Sequence, residues 1–297
     1  MVSPFRSDLL AGQRIVITGG GTGLGKGVAG HFAAHGAEVH LWGRRPTVLD
    51  DAVADVAAGR EGAAFRHVVD VRDPEAVDAA VGVIWADHGP VTSLVNNAAA
   101  NFIAPTASLS PRAFEAVNST VMKGSFHCTL ACGKRWISEG LPGAVLSTLT
   151  TWVWTGSAFV VPSAMGKSAV HAMTMSLAVE WARYGIRLNA VAPGPIPTDY
   201  AWEMLNPTDT SSVGATQIDQ VPMQRAGTVE ELANLEMFLL SDACRYLTGQ
   251  TIAMDGGQML AGPGTFAGLT AMTDVDWVAA REASQAATAA SKAQRGV

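Results

Sequence analysis

The run Thr18-Gly19-Gly20-Gly21-Thr22-Gly23-Leu24-Gly25 follows the β-branched stretch Arg14–Thr18 and leads into a helix-like segment beginning near Leu24. With so few side chains in the reversal, the chain passes from strand straight into helix, the unit from which parallel sheets are assembled. The alternation recurs. Further candidate strands are Glu38–Trp42, Phe65–Val69, Ser93–Asn96, Ala144–Leu149, Arg187–Val191 and Thr251–Met254. Between them lie helical segments starting near Pro46, Pro74, Pro111, Pro162 and Val229, and proline suits a first helical turn. The pattern specifies an α/β fold, a doubly wound parallel sheet of about seven strands.

No Pro/Gly/Ser-rich linker or charge run divides the chain, so residues 1–297 are read as a single domain. Two stretches fit no strand–helix unit. Residues 198–226, rich in Met, Trp and Pro, read as a mobile lid, and residues 260–297 as a surface helix or subunit contact with a frayed end. Hydrophobic residues at 48% with 15% charged describe a compact core-bearing protein, and a net charge of -6 offers no basic footprint for nucleic acid. No apolar run approaches the roughly 20 residues that cross a bilayer, and the first residues lack a signal-peptide pattern, so a cytoplasmic location is expected. Cys128, Cys132 and Cys244 form no CxxC and are assigned to packing. The seven histidines show no HExxH or i, i+4 pair, so no metal site is expected; His127 and His171 read as polar helix positions.

The chemistry begins at the glycine run. Backbone N–H groups and the helix N-terminus there face outward with no side chain in the way, the arrangement that cradles a dinucleotide pyrophosphate in a Rossmann-type fold. The second strand ends in Gly43-Arg44-Arg45, where an NAD site carries an acid for the ribose hydroxyls; two guanidiniums suit a 2′-phosphate instead, and NADP(H) is the expected cofactor. Asp70, at the end of the third strand, either accepts from the adenine amino group or caps the helix after Pro74. After the fourth strand, Asn96-Asn97-Ala98-Ala99 lets the chain approach the ribose and nicotinamide closely.

Taken with Asp70-Val71 and Lys167, these motifs resemble the short-chain dehydrogenase/reductase superfamily, whose patterns TGxxxGxG, DV, NNAG and YxxxK occur in that order. The likeness covers roughly Leu10 to Gly257 and implies an active site at the carboxyl ends of the strands and a homotetramer. The chain departs from the commoner members: Ser163 stands four residues before Lys167 where they carry tyrosine, and Thr150 stands in their serine position. A phenol ionises at about 10 and a neighbouring ammonium lowers that further, whereas an aliphatic hydroxyl is far too weak an acid to serve directly.

One branch shares the departure. Asn97-Ala98-Ala99-Ala100-Asn101-Phe102, Gly156 to Ser163, Pro193-Gly194-Pro195-Ile196 and Gly227 to Leu235 resemble the 2,4-dienoyl-CoA reductases, the mitochondrial type above all. In that family NADPH delivers hydride to a conjugated acyl-CoA and two donors hold the thioester oxygen of the dienolate. The resemblance assigns one donor to Asn101; the other, a tyrosine in the family, falls at Trp152, whose indole N–H donates but cannot release a proton. Alternatively Trp152 and Trp154 floor an apolar pocket. The resemblance further assigns Lys167 to the nicotinamide ribose, Ser163 to the cofactor or that lysine, and Pro193, Gly194 and Ile196 to the carboxamide. It gives Arg72, Phe102 and Ser110 to the acyl-CoA, Arg72 meeting a CoA phosphate, although a lid arginine of the family falls at Met204. Two other readings stay open: a ketone or quinone reductase with Tyr200 or water as acid, and a non-catalytic NADPH-binding subunit.

Overall fold

A computed structural model describes residues 4–57, 60, 62–101, 103–198, 218–262 and 267–295 of the chain. Seven parallel strands form one sheet: β1 (Arg14–Thr18), β2 (Glu38–Gly43), β3 (Ala64–Val68), β4 (Ser93–Asn96), β5 (Gly143–Thr148), β6 (Ile186–Pro193) and β7 (Thr251–Met254). Their spatial order is β3-β2-β1-β4-β5-β6-β7. All seven strands read from the sequence are present, the largest shift being the end of β6 at Pro193 rather than Val191. The chain winds outward from β1 to β3, returns, and winds outward from β4 to β7. The crevice between β1 and β4 is therefore the topological switch point, where open α/β sheets bind ligands.

The α-helices among the described residues are α1 (Gly23–Ala34), α2 (Pro46–Ala57), α3 (Pro74–Asp87), α4 (Pro111–Asn118), α5 (Gly124–Glu139), α6 (Trp152–Thr155), α7 (Val161–Trp181), α8 (Val229–Leu240), α9 (Gln258–Ala261) and α10 (Asp274–Arg295). Strand alternation divides the core between two faces. Ile15, Ile17, Leu41 and Leu146 pack with residues of α1, α2 and α8, while Val16, Leu94 and Val145 pack with those of α3, α5 and α7. Helix α3 begins at Pro74 as expected, but its cap is Asp73, which accepts from Glu75 N and Ala76 N; Asp70 is thereby released from that alternative.

The segment from Pro111 bends within one long helical run. A π-helical turn, Ser119–Lys123, separates α4 from α5 and lets Gly124 settle against Val71, where a Cβ would stand 2.6 Å from Val71 Cγ2. Such turns recur at functional sites. The surface helix expected near the C-terminus is α10, on which Val275, Trp277 and Val278 are exposed. Residues 199–217 of the expected lid, with Tyr200 and Met204, lie outside the described residues, as does Phe102. None of the described helices is long and apolar enough to cross a membrane.

Close packing of α5 on the end of α7 depends on Gly133, where a Cβ would stand 2.4 Å from two ring carbons of the buried Trp181. Gly133→Ala should cost about 1–3 kcal/mol, the usual penalty of overpacking. It should lower the urea midpoint, and an unchanged midpoint would show that the indole moves aside freely.

Candidate active site

The loops after β1 and β4 are stitched together at the switch point. The Thr18 hydroxyl accepts from Asn97 N (3.0 Å) and Ala98 N (2.9 Å), and Asn97 Nδ2 donates to Thr18 O at 3.0 Å. The glycine run then turns through two left-handed residues, Gly19 (φ +67°) and Gly23 (φ +53°), into α1. A Cβ on Gly25 would stand 2.4 Å from Gly19 O, so α1 lies directly on the turn. Thr22 occupies the N-cap without a side-chain hydrogen bond, and Leu24 packs against the core. A helix start that carries no side-chain cap and is shielded only by glycines fits a pyrophosphate.

At the end of β2, Arg44 and Arg45 are both exposed. Arg44 faces Asp70 closely enough to help hold its carboxyl below the usual range, after the larger effect of Arg72. Arg72 forks onto Asp70, its Nε 2.9 Å from Oδ1 and its terminal nitrogen 2.5 Å from Oδ2. The residue assigned to a substrate phosphate is thus paired with Asp70, which Arg44 also faces. Val71 is buried, so any ligand contact it makes is through its backbone.

Ser163 and Lys167 lie four residues apart, hence on one face of α7, and both are buried. Lys167 Nζ donates to Thr148 O at the end of β5, and burial lowers its pKa to about 8. Thr150, just beyond β5, has a hydroxyl out of solvent without a partner among the described residues, a donor left for a ligand. Asn118, which drew no attention in sequence, bonds Phe114 O (3.2 Å) and Pro162 O (3.3 Å), tying α4 and the π turn to the start of α7. Its only sequence signal was its place in a helix that reads as unbroken.

Behind Thr148 lies a second buried ionisable group. Glu236 on α8 is 1% exposed, and desolvation pushes its carboxyl up to about 8 while the nearby Thr148 hydroxyl opposes this. Its Oε2 has no partner among the described residues.

Asn101 is half-buried on the loop after β4, and that loop is anchored to the segment opening α7 by Ala104 N donating to Phe159 O at 2.9 Å. Phe159 takes a left-handed φ of +64°, a strained conformation for a non-glycine residue. Trp152 is half-buried on α6; Trp154 is exposed and sits edge-on to His171, whose Nδ1 lies 2.8 Å from Thr251 Oγ1. Trp154 therefore packs on His171. Ser110 caps α4, accepting from Ala113 N at 3.1 Å, and stands exposed. After β6, Gly194 N donates to Met254 O (3.0 Å) and Gly227 N to Pro195 O (2.9 Å), and the Ile196 side chain joins the core. Ile196 thus offers a ligand its backbone alone.

A family model described as enoyl-(acyl carrier protein) reductase matches residues 19–259. A Caenorhabditis elegans protein named probable 2,4-dienoyl-CoA reductase, (3E)-enoyl-CoA-producing, is 39% identical across 86% of this chain and 82% of its own. A Bacillus subtilis protein named probable 2,4-dienoyl-CoA reductase, (2E)-enoyl-CoA-producing, is 38% identical across 84% of this chain and 97% of its own. Among solved structures, a short chain dehydrogenase from Bacillus anthracis superimposes with a TM-score of 0.76 at 38% identity, covering 83% of this chain and 96% of that one.

The proton on Glu236 has a measurable consequence. A carboxyl near 4.5 when unfolded and about 8 when folded takes up a proton on folding, so its stabilisation is complete below pH 4.5 and lost as pH rises through 8. Between about pH 5 and pH 8 the chain should lose stability relative to Glu236→Gln, by an amount on the order of 3 kcal/mol. Parallel urea-unfolding curves for the two proteins across that range would refute the protonated buried carboxyl.

Proposed function

The chain belongs to the short-chain dehydrogenase/reductase family, and from that premise we propose that it is an NADPH-dependent reductase of unsaturated fatty acyl-CoA thioesters, 2,4-dienoyl-CoA or trans-2-enoyl-CoA, acting as a homotetramer. The observation that carries this reading is the anchoring of the Asn101 loop through Ala104 N to Phe159 O. It ties the loop carrying Asn101 to the segment that opens α7, the helix of Ser163 and Lys167, and this supports reading the three as one site, with serine in place of a phenol. Relatives named for dienoyl-CoA reduction support the substrate class.

NADPH, when bound, would supply the hydride for reduction at the conjugated carbon. Asn101 donates its amide to the thioester oxygen as negative charge develops there, an interaction typically worth a few kcal/mol because the donor is in place before the charge. The indole N–H of Trp152 is the second donor, and since it cannot part with its proton, water delivers the proton that completes reduction. Lys167, held by Thr148 O, bonds the nicotinamide ribose with Ser163 beside it. Arg44 and Arg45 take the 2′-phosphate, and Arg72 divides its guanidinium between Asp70 and a CoA phosphate. Ser110 borders the acyl chain, and the same reading assigns Phe102 to it.

NADPH consumption followed at the nicotinamide absorbance band should occur with 2,4-dienoyl-CoA or trans-2-enoyl-CoA. Oxidation with ketones or quinones alone would move the protein to carbonyl reduction, and tight NADPH binding without turnover on any substrate would make it a binding subunit. Asn101→Ala should lower kcat by about 10²–10³ with NADPH affinity unchanged; lost cofactor binding would instead assign the loop to the cofactor. Replacing Arg44 and Arg45 together by Ser should raise the Kd for NADPH by roughly tenfold or more and leave that for NADH near its starting value. Equal weakening of both would remove the 2′-phosphate assignment.

A further inference from the structure

Three side chains far apart in sequence meet at the amino ends of the strands, opposite the carboxyl edge. Glu38 and His40 leave β2 on the same face, being two residues apart, and His88 follows the last residue of α3. Glu38 Oε1 lies 2.9 Å from His40 Nε2 and 3.3 Å from His88 Nδ1, and the three atoms fall within 4.8 Å of one another. From this geometry we infer a zinc(II) site with Glu38 Oε1, His40 Nε2 and His88 Nδ1 as its ligands and water in the fourth position.

Two imidazole nitrogens and one carboxylate oxygen are a donor set that suits zinc. Around a tetrahedral ion with bonds of roughly 2.0–2.1 Å, neighbouring donors stand about 3.3 Å apart. The two separations from Glu38 Oε1 are already near that value. The pair His40–His88 closes by a small adjustment of the His88 side chain, which is 20% exposed and so the less enclosed of the two rings. His40 is fully buried and cannot move far, and its outer shell is already formed. With Nε2 turned to the metal, Nδ1–H points at His67 Nε2, 2.9 Å away, which fixes the tautomer as the second hydrogen bond of a metal-bound histidine does.

Phe65 stacks on His40 at 5.3 Å and lies edge-on to His88 at 4.2 Å, closing one side of the cluster with an apolar ring. Arg14 Nε donates to the same Glu38 oxygen at 2.6 Å and its Nη1 to Pro90 O. That guanidinium orients the carboxylate and also competes with a cation for it. Affinity should therefore be lower than at a closed four-ligand structural site. The open position faces the side on which Glu38 and His88 are partly exposed, so the ion clamps β2 to the end of α3 and remains accessible. The ligands come from a strand and from the end of a helix fifty residues on, which is why no metal spacing shows in the sequence.

The test is titration of chelator-treated full-length protein with Zn(II) against a chromophoric competitor, with thermal unfolding alongside. One Zn(II) per chain and a raised Tm are expected, and Co(II) in its place should give visible d–d absorption from an ion of low coordination number. Both His88→Ala and Glu38→Gln should weaken binding by roughly tenfold or more while NADPH binding stays as in the parent chain. Absence of stoichiometric Zn(II), or binding that survives in both variants, would overturn the site.

Discussion

The Thr18 hydroxyl is shared by two backbone N–H groups of another loop, and the carboxyl edge of the sheet is organised around it. Each bond is worth only about 1 kcal/mol net. Its importance is geometric, because β1 and β4 are the neighbours at which the strand order reverses. With the loops after them joined, the glycine turn and the Asn97–Asn101 loop hold a fixed separation. The turn is thereby left with bare N–H groups at the start of α1, beside the loop that leads to Asn101.

Both faces of β5 are engaged by ionisable groups that have left water. Lys167 reaches the Thr148 carbonyl from α7, and Glu236 lies by the Thr148 hydroxyl from α8. Among the described residues neither has an opposite charge to pair with, so desolvation moves each towards its neutral form, lysine down and carboxyl up, to about 8 in both cases. Burial of such groups is costly, and strands that carry them are found where a fold retains chemistry at the expense of stability. The cost falls on the strand that leads to Thr150 and Trp152.

Substituting serine for a phenol at position 163 and indole for a phenol at position 152 removes strong proton donors from this edge. What is left, an amide, an indole, hydroxyls and an amine, can hold negative charge as it forms. Within the proposed reaction these residues stabilise an enolate and leave protonation to water. The loop that carries Asn101 is tied at Ala104, whose N–H donates to the carbonyl of a strained Phe159, a conformation set by packing rather than by local preference.

The strands, the order of strands and helices, and the glycine cradle were legible in the sequence, because two-residue and helical periodicities and glycine's lack of a Cβ act locally. So were the arginine pair and the Ser163–Lys167 spacing, which follow from a strand end and one turn of helix. The π turn after Asn118 was hidden, since nothing local distinguishes it from straight helix; the close approach of Gly124 to Val71 decides it. The fork of Arg72 onto Asp70, the capping role of Ser110 and the inward turn of Ile196 depended on which neighbours the fold supplies. Glu236 looked like one acid among several on an amphipathic helix until packing placed it in the core. Glu38, His40 and His88 were unremarkable separately, and only the pairing of β2 beside the end of α3 brought their donor atoms together, because side-chain convergence across distant segments is a property of tertiary packing and leaves no periodic trace in the chain.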